Sequence, residues 1–99
     1  MYHSPADATR EIKKRLRNGA EIIFTQHAED QMCDRHIDGQ EVKTAIKSGV
    51  VRTPGEFNND EYSYKIESNL CGGIAVVVGI PEDNPALVVI TTFSLPKKK

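Results

Sequence analysis

The stretch "EYSYKIESNLCGGIAVVVGIPEDNPALVVITTF", residues 61–93, decides the fold class that the sequence predicts. Its first seven residues alternate strictly between polar and apolar side chains, the pattern of a strand with one buried face. The segments 73–80 and 86–93 are rich in β-branched residues and apolar on both faces, which is typical of central strands. Short, turn-rich loops at 69–73 and 81–85 separate the segments, so we expect neighbouring strands to form antiparallel hairpins.

Helical patterns occupy the chain before these strands. Residues that start or end helices occur at Ser4 and Pro5, Asn18 and Gly19, Asp38 and Glu41, and Gly49. They delimit a first helix in 4–19, and residues 25–36 predict a second. A capping box at Asp38 begins the third helix. The segment 21–24, "EIIF", is a short extended piece. The sequence therefore predicts an α+β fold, with two or three N-terminal helices packed on a three- to four-stranded antiparallel sheet.

Length and composition indicate one ordinary domain over residues 1–99. The chain is 38% hydrophobic and 27% charged, and its longest apolar run, 74–80, is far shorter than the roughly 20 residues that cross a bilayer. The polar N-terminus lacks the apolar centre of a signal peptide, so we expect a cytoplasmic protein with no membrane partner. Two cysteines, Cys33 and Cys71, do not make a disulfide framework. The lysine tail, 97–99, is expected to be disordered.

Charge is distributed unevenly along the chain. The formal net charge is −1, yet residues 1–17 hold five basic side chains against two acidic ones, and residues 97–99 are all lysine. Residues 18–96 hold five basic against twelve acidic side chains. Because a nucleic-acid binder normally presents a basic face, the acidic middle counts against RNA binding.

A row of polar side chains marks the second helix. His27, Gln31 and Arg35 are four residues apart and therefore lie along one side of a helix. Imidazole moves protons near neutral pH and guanidinium holds phosphate, so this pair suits phosphodiester chemistry. The alternative is that both are ordinary boundary residues, with Arg35 paired to Asp34 or Glu29.

Metal and cofactor sites are weakly supported. Cys33 and His36 could offer two ligands, whereas a structural zinc site needs four, and His3 and Cys71 are isolated in the sequence. We therefore expect neither a metal nor a cofactor. Lys65 on the alternating strand is a further candidate for chemistry.

The polar row belongs to a longer pattern. "FTQHAEDQMCDRHIDGQEVKTAIKSGVV", residues 24–51, resembles the segment H-A-x-x-R-M-x-x-R-x-I-x-x-x-x-V-x-x-A-I-x-x-G of the small bacterial proteins called domain of unknown function 4258. The likeness continues through "EYSYKIE" to "VVITTF" and covers roughly residues 22–93. The segment "KKRLRNG" is similar, more loosely, to the motility quorum-sensing regulator toxins.

The resemblance implies a function as well as a fold. The family looks like part of the RelE-like toxins, related in fold to barnase and the colicin ribonucleases, so it implies a RelE-like architecture and a metal-independent endoribonuclease that cleaves RNA. His27 and Arg35 match the histidine and second arginine of the motif, Gln31 replaces its first arginine, and Lys65 follows the strand tyrosine. The site hypothesis assigns catalysis to His27, Arg35, Lys65 and Tyr64. It assigns substrate binding to Gln31 and Thr92.

Two function classes remain open at this point. One is the toxin of a toxin–antitoxin pair, with a cognate antitoxin protein as partner and RNA as substrate. The other is a non-catalytic protein-binding module that keeps the same fold. Because the central strands are apolar on both faces and the helices are few, we also expect an exposed apolar patch that a partner or a second copy in a homodimer covers.

Overall fold

The computed structural model describes residues 4–58, 61–68, 73–81 and 85–94. In chain order the elements are α1 Pro5–Arg17, β1 Ile22–Phe24, α2 Gln26–Asp34, α3 Gly39–Ser48, β2 Val50–Val51, β3 Glu56–Asn58, β4 Glu61–Ser68, β5 Ile74–Gly79 and β6 Leu87–Ser94. This confirms the predicted α+β class. His3, Cys71, most of the two hairpin loops and the lysine tail lie outside the described residues. Within them, every helix falls short of the length and apolar content that a bilayer span requires.

The predicted caps begin α1 and α3. The Ser4 side chain accepts a hydrogen bond from the Asp7 N–H at 3.3 Å, and Pro5 is the first residue of α1. At α3, the Asp38 carboxylate accepts from the Glu41 N–H at 2.8 Å, and the Glu41 carboxylate accepts from the Asp38 N–H at 3.2 Å. Both capping interactions satisfy N–H groups that a helix start leaves without partners.

Helix α2 is shorter than predicted. It ends before Arg35, which is its C-cap, because His36 adopts the left-handed conformation with φ +55°. The Ile37 N–H then donates to the Met32 carbonyl at 2.8 Å, which closes the helix end and turns the Ile37 side chain into the core.

The sheet is larger than predicted and mixed. Its strands lie in the order β1-β6-β5-β4-β2, and β3 pairs with β4 as well. Strands β4, β5 and β6 form the predicted antiparallel hairpins, but β1 pairs with β6 in parallel, Ile22 opposite Leu87. The expectation of three or four antiparallel strands is corrected accordingly. The short segment "EIIF" indicated a strand, but no local pattern in the sequence predicted that this strand would pair with β6.

The two faces of the sheet differ. All three helices contribute to one hydrophobic cluster together with the strand residues Tyr64, Ile66, Val76, Val78 and Val89, so they pack on the same face. We call this the covered face. The opposite face carries Lys65, Val77 and Thr91, which are opposite one another across β4, β5 and β6 and are partly exposed. No described helix contributes to this open face.

Candidate functional site

Helix α2 begins at the edge of the sheet. Strand β1 ends at Phe24, and the next residue, Thr25, donates from its backbone N–H to the Val89 carbonyl at 3.1 Å. The Thr25 hydroxyl accepts from the Ala28 N–H at 3.1 Å and lies 3.2 Å from the Ile90 carbonyl, to which it donates. One threonine therefore caps α2 and ties the start of the helix to β6.

Two side chains of the polar row continue this attachment. The Gln31 Oε1 accepts from the Thr92 N–H at 3.1 Å, and the Arg35 Nη1 donates to the Thr92 carbonyl at 2.9 Å. Strand β1 pairs only with residues 87–89 of β6, so Thr92 lies beyond the end of its partner strand. Gln31 and Arg35 thus form hydrogen bonds with the Thr92 N–H and carbonyl, the groups that a longer β1 would have paired. These bonds give partners to backbone groups at an edge of the sheet.

The glutamine has a role that an arginine could not take. Gln31 stands where the family pattern has its first arginine, and here it accepts a hydrogen bond from a backbone N–H. Guanidinium has no acceptor, so an arginine at this position could not make the same bond. We therefore assign Gln31 to the attachment of α2, rather than to substrate contact through its oxygen.

Arg35 keeps most of its hydrogen-bonding capacity. Its side chain makes one hydrogen bond within the described part of the chain, whereas a guanidinium has five N–H donors. The residue as a whole is exposed, and so is His27, two turns earlier in the same row. The hydrogen bond to Thr92 thus fixes one nitrogen of the Arg35 guanidinium and leaves its other donors available to a ligand.

Tyr64 and Lys65 are consecutive residues of β4 and therefore lie on opposite faces. Tyr64 is 1% exposed and belongs to the core, where its ring lies directly against Gly55. Lys65 is on the open face with 37% of its side chain exposed. The structure does not bring these two candidates together, and we reassign Tyr64 to the core.

Lys65 has two neighbours that the sequence reasoning did not assign to the site. Its Nζ lies 3.5 Å from the Glu67 Oε2 and 6.0 Å from the centre of the Phe93 ring. Phe93 follows Thr92, so Lys65 and Arg35 both lie near the same end of β6. Lys65 approaches this end from the open face, whereas Arg35 approaches it from the edge of the sheet. The alternation of β4 already placed Glu67 beside Lys65, but the approach to Phe93 required the strand order.

Thr92 contributes its backbone rather than its side chain. The residue is fully buried on the covered face, and its Oγ1 has no hydrogen-bond partner among the described residues. A substrate on the open face or at the edge would meet its neighbours instead. Nor do the described residues include three His, Cys, Asp or Glu side chains grouped so as to hold a metal ion.

Comparison with known proteins identifies the family. No curated protein and no solved structure matches the chain significantly. The family model "Domain of unknown function (DUF4258)" matches residues 24–94, from the last residue of β1 to the end of β6. The matched region includes the polar row of α2 and its attachment to Thr92, and it covers well over half of the chain, which therefore belongs to the DUF4258 family.

Proposed function

We propose that this protein is an endoribonuclease that needs no metal ion and acts as the toxin of a toxin–antitoxin pair. The observation that supports the proposal concerns α2 and its C-cap residue. Arg35 is anchored to the Thr92 carbonyl through one nitrogen, and the exposed His27 lies in the same helical row. A positioned guanidinium can bind phosphate and an exposed imidazole can transfer a proton, and RNA cleavage through the 2′-hydroxyl uses both functions.

The proposed chemistry uses the RNA as its own nucleophile. The 2′-hydroxyl attacks the adjacent phosphorus, and the bond from phosphorus to the 5′ oxygen of the next nucleotide breaks. One proton must leave the attacking oxygen and another must reach the departing oxygen; His27 would carry out one of these transfers and a solvent water molecule the other. Arg35 would bind the non-bridging phosphate oxygens and stabilise the charge that develops on them.

Lys65 has a different place in this proposal. It lies on the open face and is partly neutralised by Glu67, while Arg35 lies at the edge beside α2. Both approach the end of β6 at Thr92 and Phe93. We therefore place Lys65 at a phosphate next to the reacting one, where it would contribute to binding and less to the rate.

The family resemblance supplies the substrate class. It implies a RelE-like ribonuclease, and a largely antiparallel sheet with all the described helices on one face is compatible with that architecture. RNA is therefore the substrate we propose, and an antitoxin protein is the proposed partner.

The test combines growth with RNA cleavage. The protein is expressed alone in cells, and the purified protein is incubated with single-stranded RNA in the presence of a metal chelator. We expect growth arrest and cleavage for the unmodified chain, and losses of about 10²–10⁴-fold in cleavage rate for His27→Ala and Arg35→Ala. Lys65→Ala should weaken RNA binding with a smaller loss of rate at saturating RNA.

Matched control variants distinguish a loss of catalysis from the effects of removing charge or of unfolding the protein. His36→Gly removes another exposed histidine, and Arg52→Ala removes another exposed arginine. Thermal unfolding checks that each variant folds. If the control variants lose as much activity as His27→Ala and Arg35→Ala, or if those two cleave RNA at the rate of the unmodified chain, the assignment to α2 is wrong.

The open face favours a second candidate function, a non-catalytic protein-binding module. Lys65 is already close to Glu67, and the partly exposed apolar side chains of Val77, Ile90 and Phe93 lie on the same face. An apolar surface with internally paired charges suits a protein partner or a second copy of the chain.

Light scattering over a range of concentrations tests this second candidate. A homodimer through the open face should dissociate when Ile90 is replaced by Lys, while Lys43→Glu on α3 should leave it intact. A monomer at all concentrations, together with RNA cleavage by the unmodified chain, would favour the ribonuclease instead.

A further inference from the structure

A groove of about 620 Å³ is lined by residues of α1, α3 and β1. Leu16 and Ile22 line it, and both also pack against the hydrophobic core. Its remaining lining consists of Thr9 and five cationic side chains: Arg10, Lys13, Arg17, Lys43 and Lys47. The groove thus combines an apolar floor with cationic walls.

Most of these cations have no ion-pair partner among the described residues. Arg10 forms an exposed ion pair with Asp7. Lys13, Arg17, Lys43 and Lys47 form no ion pair with any residue in the described ranges. Like charges that are brought together repel one another, and Lys43 and Lys47, four residues apart on α3, are such a pair. An anionic ligand would relieve this repulsion.

The cations form two rows, one on each helix. Arg10, Lys13 and Arg17 span two turns of α1, about 10 Å along its axis, and the two lysines span one turn of α3. A ligand in the groove would therefore meet positive charge on both flanks and apolar side chains beneath it. We propose that this groove binds an acidic amphipathic helix of a partner protein, with its apolar stripe on Leu16 and Ile22 and its carboxylates facing the two rows.

A peptide fits the lining better than RNA does. None of the eight lining residues is aromatic, so the groove offers no ring on which a base could stack. Phosphates would meet the cations, but the bases would have only aliphatic side chains beneath them. The floor instead matches the leucine or isoleucine side chains of a helix, which bury apolar area without needing a partner of special geometry. The inference does not depend on ribonuclease activity, because the groove contains neither His27 nor Arg35.

The test measures binding of a designed probe. A fluorescent peptide of about 14 residues, long enough to form a helix of roughly 20 Å, carries leucines in one stripe and glutamates on both flanks. Its fluorescence polarisation is followed as the full-length protein is added. We expect saturable binding that weakens as salt is added, and that is lost when the glutamates are replaced by glutamines or the leucines by serines.

Variants of the protein locate the binding site. The double variant Lys43→Gln/Lys47→Gln should weaken binding about tenfold, because two exposed ion pairs are removed. Lys14→Gln is the matched control, since Lys14 is exposed on α1 but does not line the groove. It should change the affinity less than about twofold. The groove variant should unfold at the same temperature as the unmodified chain or at a slightly higher one.

Three results would overturn the proposal. The first is no saturable binding of the acidic peptide, and the second is an equal loss of affinity in Lys14→Gln and the groove variant. The third is a single-stranded RNA that binds more tightly than the peptide and whose binding the groove variant abolishes, which would make the groove a nucleic-acid site. Binding that depends on the glutamates, the leucines and the two lysines together supports it.

Discussion

The covered and open faces of the sheet use the same strands for different purposes. On the covered face, Tyr64 and Val76 are buried in the cluster to which all three helices contribute. On the open face, their chain neighbours Lys65 and Val77 remain partly exposed. Residue types alone did not separate these roles, since tyrosine and lysine were both reasonable candidates for chemistry. The face that a side chain occupies therefore decides whether it is available for chemistry.

The edge of β6 is a third environment between the two faces. There, Gln31 and Arg35 bind the backbone of Thr92, so part of the polar row serves the fold. Arg35 nevertheless keeps donors for another partner. A residue at such an edge can therefore be structural and functional at once.

The largest expected effect contrasts Tyr64 with Lys65. Tyr64→Ala removes a ring that is enclosed in the core and should lower the free energy of unfolding by about 3–5 kcal/mol. Lys65→Ala on the open face should change it by less than about 0.5 kcal/mol. Urea denaturation of both variants measures the difference. Similar losses in the two would contradict the distinction between the faces.

A second contrast makes the same substitution on the two faces of the sheet. Val76 and Val77 are consecutive, and each is replaced by alanine. Val76 lies in the core, opposite Ile66 and Thr92, so Val76→Ala should cost about 2 kcal/mol of folding stability. Val77 lies opposite Lys65 and Thr91, so Val77→Ala should cost less than about 1 kcal/mol of folding stability. If Val77→Ala is the more costly change in denaturant titrations, another part of the chain covers the open face.

At the edge, substitutions of Gln31 test whether its oxygen matters to the fold. Gln31→Arg removes the acceptor for the Thr92 N–H and should lower the free energy of unfolding by about 1 kcal/mol. Gln31→Glu keeps an acceptor and should stay within about 0.5 kcal/mol of the unmodified chain. Thermal unfolding and the hydrogen-exchange rate of the Thr92 amide measure both. An arginine variant as stable as the glutamate variant would show that the hydrogen bond contributes nothing.

The smallest expected effect is at the end of α2. His36 has φ +55°, a conformation that glycine adopts without strain, so His36→Gly should raise the free energy of unfolding by about 0.5–1 kcal/mol. His36→Ala should not, because alanine carries the same steric cost. Differential scanning calorimetry compares the two. A glycine variant less stable than the alanine variant would mean that the imidazole itself stabilises this turn.

Much of the fold was predictable because the signals are local. The cap at Ser4 and the capping box at Asp38 and Glu41 act over three residues, and the alternation of β4 repeats every two. The end of α2 was misplaced by two residues, since the positive φ of His36 is uncommon outside glycine and has no strong sequence signal. The candidate site was predicted only as a row on a helix, without the partners that its members have.

The sequence by itself determined the α+β class, the helix starts, the hairpins and the row of His27, Gln31 and Arg35. Only the tertiary structure decided that β1 pairs in parallel with β6, that Arg35 reaches the Thr92 carbonyl, and that the lysines of α3 face the basic row of α1. The physical reason is distance along the chain. Periodicity and caps report interactions within one or two turns, whereas Arg35 and Thr92 are separated by 57 residues and meet only because the helices and strands pack into one core.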